Sequence, residues 1–184
     1  MNVAILCGGE GKRMGGINKG LLKVCGKYFV QIIAQELSAL GEVVVVGKSR
    51  DFEGMMEALE DSDPGLGPLG GIYTALKHFE EDVLVVPCDM PHFKFDHAKF
   101  LLDLWESHDF DSISIYTNSL TPIPGIYSYG LLETIEKRLR ERRLSLRRLV
   151  LESRSLIVHT PFFEDLFSVN SWEDFEGVKE VLCL

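Results

Sequence analysis

Residues 2–20 read NVAILCGGEGKRMGGINKG: one asparagine, five apolar residues, then a run with six glycines and three cations. A short apolar run ended by glycines has the signature of a buried strand. The loop behind it, with Lys12, Arg13 and Lys19 among its glycines, is built to meet an anion. Without Cβ atoms the backbone N–H groups can approach a charged guest closely, and phosphate is the usual one. Two familiar phosphate loops can be excluded. GxxxxGK[ST] fails because Gly20 follows Lys19, and GxGxxG fails because Met14 stands where a third glycine should follow Gly9 and Gly11. What remains is a cradle in which Arg13 grips two phosphate oxygens and Lys19 acts as a point charge, suited to a triphosphate and its pyrophosphate leaving group.

Outward from this loop, the chain alternates strand and helix patterns. Apolar runs at 42–47 and 82–87 read as buried strands, and helical spacing marks 28–40, 72–79 and, more weakly, 52–59. PGLGPLGG (64–71) reads as a second glycine loop. The second half continues with helix 97–107, strands 111–116 and 123–128, helices 130–142 and 145–152, strand 156–160 and a helix over 171–182. Continuously apolar strands separated by helices predict an α/β fold: one three-layer α/β/α domain over residues 1–184, with a mostly parallel, Rossmann-like sheet. Ligands of such sheets bind beyond the carboxyl ends of the strands, where the first glycine loop and CDMP (88–91) both fall. Pro122 and Pro124 in TPIPGIYS (121–128) are unsuited to a strand ladder and suggest a pocket wall instead of a mid-sheet strand.

Composition narrows the function classes. A net charge of −9 argues against nucleic-acid and membrane-surface partners. No apolar run approaches the roughly 18 residues of a bilayer span, and the amino terminus does not resemble a signal peptide. Cys7, Cys25, Cys88 and Cys183 lie far apart without metal-site spacing, so reduced thiols in a cytoplasm are expected. The five histidines form no recognisable triad and receive no role. Residues 137–149 hold seven of the nineteen Lys and Arg residues. A solvated helix face is the plain reading; a border of the pocket that attracts a phosphorylated substrate is the functional one.

Several motifs occur together. LCGGEGKRMGGINKGLLKVCGK (6–27), GPLGGI (67–72), PCDMP (87–91), TPIPGIYS (121–128) and SVNSWEDF (168–175) cover nearly the whole chain. Their order and content resemble the molybdenum cofactor guanylyltransferase (MobA) family of the GT-A-like nucleotidyltransferases, whose first motif is LxxGxGxRMGxxK. The resemblance implies a nucleotide frame from Leu6 through Cys7, Gly8 and Gly9, with Gly70 in the second glycine loop. Asp89 matches the family's magnesium-binding aspartate, and its position just past an apolar strand suits a hard cation; a turn-starting role is the plain alternative. Asp61 matches the aspartate used for GTP, and a carboxylate can accept both N–H groups of a guanine edge. Asp63, before a proline, reads more simply as a turn starter. Asn170 falls in the pterin-side segment, where it could equally serve as a helix cap. The family's asparagine after the second strand has no counterpart in VVVVGKSR (43–50), where Gly47 or Lys48 stands.

The implied reaction is guanylyl transfer from GTP to the terminal phosphate of molybdenum-molybdopterin, with Mg²⁺ as cofactor. Arg13, Lys19 and Asp89 carry the catalysis, and no general base is needed because the acceptor phosphate is already ionised. A monomer is expected, with transient contacts to proteins of cofactor synthesis or to acceptor molybdoenzymes. A CTP-dependent enzyme, another phosphorylated acceptor, and a nucleotide sensor without turnover are the alternatives.

Overall fold

β-branched apolar runs framed by glycine or charge fold into strands wherever both faces can be covered, and this chain supplies several. In the computed structural model, residues 1–8, 14–61, 64–107 and 109–183 are described. Strands β1 (Asn2–Leu6), β4 (Val43–Gly47), β5 (Ala58–Glu60), β6 (Val83–Pro87), β7 (Ser112–Tyr116), β8 (Leu120–Tyr127) and β9 (Ser155–His159) form one sheet in the order β5-β4-β1-β6-β8-β7-β9. β8 pairs antiparallel with both neighbours and every other pairing is parallel, so the sheet is mostly parallel as expected. β2 (Lys23–Val24) and β3 (Lys27–Tyr28) make a separate hairpin.

The period-two alternation of each strand sends its side chains to two cores. Val3, Ile5 and Val45 pack with helices α1 (Phe29–Leu37) and α3 (Phe95–Glu106) on one face. Ala4, Val44 and Val85 pack with α2 (Gly67–Phe79), α4 (Leu132–Arg140) and α5 (Leu146–Glu152) on the other. This is the three-layer arrangement that the strand–helix alternation implies. A third, smaller core joins Met14, Leu22, Val24 and Phe29 to Val169 and Val178, docking the hairpin region against α6 (Trp172–Leu182). Among the described residues no helix is long and apolar enough to cross a membrane.

Four expectations need correction. Residues 52–59 are not a helix: a 3₁₀ turn covers Ser49–Phe52 and the chain then enters β5. Val45 and Val46 of β4 offer this short segment an unpaired edge, and pairing there overrides its weak helical spacing. The helix of the second glycine loop begins at Gly67, not at 72, with Pro68 in its first turn. TPIPGIYS lies mid-sheet after all, between β6 and β7. Its prolines are tolerated because the register with β7 jumps from Thr121 to Gly125, leaving Pro122, Ile123 and Pro124 out of that ladder. A Cβ on Gly125 would stand 2.5 Å from the Ile113 carbonyl oxygen, so the return to register requires glycine.

The fourth correction concerns the thiols. Cys25 and Cys183 are disulfide-bonded across 158 residues, whereas Cys7 and Cys88 are free and buried. Cys25 and Gly26 both have positive φ and form the two-residue turn of the β2–β3 hairpin. The third core carries that turn to the end of α6, a proximity that sequence spacing conceals.

Candidate active site

The carboxyl ends of β1, β4 and β6 open into a cavity of about 430 Å³, which Leu6, Gly8, Lys19, Asp61, Asp89 and Asn170 all help to line. Its two ends are built differently. At one end the Lys19 ammonium donates to Asp89 Oδ2 at 2.8 Å and to Asn170 Oδ1 at 2.7 Å. The Lys19 and Asp89 side chains are only 17% and 18% exposed, so solvent screens this pair less than a surface one. Three remote segments thus converge on one point. Lys19 starts a 3₁₀ turn, Lys19–Leu21, which Asn18 caps by accepting the Gly20 N–H at 3.1 Å. A Cβ on Gly20 would lie 2.8 Å from Val30 Cγ1 and 3.0 Å from Cys7 Sγ, so glycine lets this turn settle beneath the lysine.

Asp89 follows β6, and its carbonyl accepts the Val169 N–H at 2.8 Å. Two residues earlier in that returning segment, the Phe167 N–H donates to His92 Nε2 at 3.1 Å. Asn170 donates its backbone N–H to Asp174 Oδ2, and the Ser171 side chain caps α6. The Asn170 amide, followed by Ser171, holds the Asp174 carboxyl below the usual carboxylate range, so the cap stays charged.

At the other end a carboxylate lies among glycines. The Asp61 N–H donates to the Gly47 carbonyl at 2.9 Å, which extends the β4–β5 pairing by one residue. A Cβ on Gly8 would stand 3.8 Å from Asp61 Oδ2, and one on Gly70 would stand 3.5 Å from Asp61 Oδ1. Gly71 leans against Leu6, with its would-be Cβ 3.0 Å from Leu6 Cδ2. Here the close approach of backbone segments shapes the wall.

Of the residues marked in the sequence, Leu6, Gly8, Lys19, Asp61, Asp89 and Asn170 are brought together. Gly70 is buried in α2 beside Asp61. Cys7 is turned into the core below, where burial first and then the Cys88 thiol push its own thiol well upward, keeping it protonated and inert. Arg13 and Gly9, with Lys12 and Asp63, lie outside the described residues. Ile123, thrown into the cavity wall by the β8 bulge, fits the pocket-wall reading of its motif. The basic stretch contributes no lining residue. Its buried Arg138 and exposed Arg143 both bond Glu152, and Arg140 bonds Glu136. His92 had no signal, since a single histidine has no spacing to read.

Residues 3–156 match the MobA-like NTP transferase domain. A probable molybdenum cofactor guanylyltransferase from Clostridium perfringens is 29% identical, over 96% of this chain and 95% of its own length. A probable molybdenum cofactor guanylyltransferase from Methanothermobacter thermautotrophicus is 44% identical over 49% of this chain and 50% of its own. The crystal structure of molybdopterin-guanine dinucleotide biosynthesis protein A from Archaeoglobus fulgidus superposes with a TM-score of 0.86 at 21% identity, covering 100% of this chain and 99% of that one. At that identity the likeness shows the fold alone. The same fold carries the 4-diphosphocytidyl-2C-methyl-D-erythritol synthase of Anaerococcus prevotii, with a TM-score of 0.73 at 16% identity, covering 100% of this chain and 96% of that one. The chain belongs to the MobA-like NTP transferase family and is a nucleotidyltransferase.

Proposed function

We propose that the protein transfers GMP from GTP to the terminal phosphate of molybdenum-molybdopterin, releasing pyrophosphate and forming the guanine dinucleotide cofactor. The observation that carries this reading is the convergence of Lys19, Asp89 and Asn170 at one end of a cavity whose other end sets Asp61 among glycines. The relatives named as guanylyltransferases support the same substrate pair.

Asp61 is the acceptor for the guanine N–H edge, and the glycines around it leave room for a flat base. The phosphates then run toward Lys19, whose ammonium takes up charge on the leaving pyrophosphate, with Arg13 assigned to the same task. A magnesium ion fits the donor set. Asp89 and Asn170 aim hard oxygen atoms at a common point, now taken by the lysine ammonium. These two residues would hold the ion, which when bound neutralises phosphate charge. The acceptor is a phosphate oxygen, ionised at neutral pH, so the chain need only align it with the α-phosphorus and keep water away.

The test is pyrophosphate release with magnesium and GTP, CTP or ATP, each with and without molybdenum-molybdopterin. Release with GTP that depends on the acceptor is expected. Release with CTP in its place would keep the chemistry and overturn the guanine role of Asp61. Nucleotide binding without release would point to another acceptor or to a sensor.

A further inference from the structure

Between the 3₁₀ turn at Pro161–Phe163 and α6 the chain has no regular structure, so its amides must find acceptors elsewhere. Two of them reach the loop after β6: Phe167 N–H to His92 Nε2 at 3.1 Å, and Val169 N–H to the Asp89 carbonyl at 2.8 Å. The next residue is Asn170, whose Oδ1 receives Lys19. One loop therefore supplies both the carboxylate of the polar end and the acceptors that seat its asparagine. The His92 ring also packs against Phe167 in a tilted pair, with centroids 4.6 Å apart and planes 37° apart.

We propose that His92 is a positioning residue for the transfer reaction: its unprotonated Nε2 accepts the Phe167 amide and so holds Asn170 against Lys19 and Asp89. The catalytic part of this inference rests on the reaction proposed above; the seating of the segment does not. A backbone amide can only donate, so Nε2 must be the bare nitrogen and the proton sits on Nδ1. Nδ1 is buried without a hydrogen bond of ordinary geometry, although the Asp165 backbone offers an acceptor nearby. Burial first, then His97 and Lys94, push the ring's pKa down, against the pull of Asp165. The imidazole is thus kept in the neutral form that can accept.

The test compares wild type with His92→Phe, which keeps a ring on Phe167 but removes the acceptor, and His92→Gln, whose Oε1 can replace Nε2. Two readouts are taken: hydrogen exchange at the Phe167 and Val169 amides, and kcat and KM for GTP in pyrophosphate release. In His92→Phe both amides should exchange about tenfold faster, the cost of one lost hydrogen bond, and kcat should fall about tenfold with KM for GTP within about twofold. His92→Gln should restore both to within about threefold. Unchanged protection in His92→Phe would overturn the seating whether or not the enzyme transfers GMP. Faster exchange with wild-type kcat, or a loss that glutamine does not restore, would overturn the positioning role. If wild type releases no pyrophosphate with any nucleotide, the reaction fails while the exchange comparison still decides the seating.

Discussion

The two ends of the cavity are held by different physics. The Lys19 end is a meeting of three segments, spanning 70 residues from Lys19 to Asp89 and 151 from Lys19 to Asn170, fixed by charge-assisted bonds. At the Asp61 end, glycines let β1, the segment after β5 and the start of α2 approach one another. A charged contact between remote segments depends on every element that docks them. A glycine wall depends only on what occupies its own few ångströms. Damage at the first end should therefore travel, whereas damage at the second should stay local.

Asp89→Asn tests the polar end most severely. With its charge gone, kcat/KM for pyrophosphate release from GTP should drop about 10³-fold or more, with the circular dichroism spectrum unchanged. A variant within tenfold of wild type would leave the charged end without a catalytic purpose. Next comes the remote tie. Replacing Cys25 and Cys183 by serine should lower unfolding free energy by about 2–5 kcal/mol, since the bond closes a loop of 158 residues. It should also raise hydrogen exchange in α6 and around Asn170; equal stability and protection would show that the third core suffices to dock the segment. At the Asp61 end, Gly70→Ala would set a Cβ 2.8 Å from Leu66 Cβ and 3.5 Å from Asp61 Oδ1. KM for GTP should rise about five- to tenfold while kcat changes less, and an equal fall in kcat would erase the contrast between the ends.

The smallest effect is in pH. Burial is the first cause holding both His92 and His97 below the ordinary histidine value of 6.5. The unfolded chain then binds more protons as pH falls below that value, so stability is complete above about pH 6.5 and declines toward pH 5. Thermal melting points across that window should fall with acid, and less steeply in His92→Gln. A flat profile for wild type would show that neither ring is held neutral by folding.

Legibility in the sequence followed how locally each feature is encoded. β1, β4 and β6 could be read from their runs of β-branched and apolar residues, because burial on both faces demands such runs. β5 could not, since three residues that pair only at an edge leave no periodic trace. β8 misled because prolines normally interrupt a ladder, and only the register shows that the bulge removes them from it. Lys19, Asp61, Asp89 and Asn170 could be marked individually, by charge, turn position or resemblance. Their convergence could not, because it depends on packing between remote elements. The disulfide belongs to the same class: hairpin turn and helix end meet only through the third core.

The span of the Lys19–Asn170 bond also orders events at the ribosome. Synthesis runs from the amino terminus, so the segments of the site emerge in chain order. Residues 2–71 already include the strand, carboxylate and glycines of the Asp61 end, and Asp89 follows shortly after. The asparagine emerges 151 residues behind the lysine. The contact that joins Lys19, Asp89 and Asn170 is thus among the last that a nascent chain can complete.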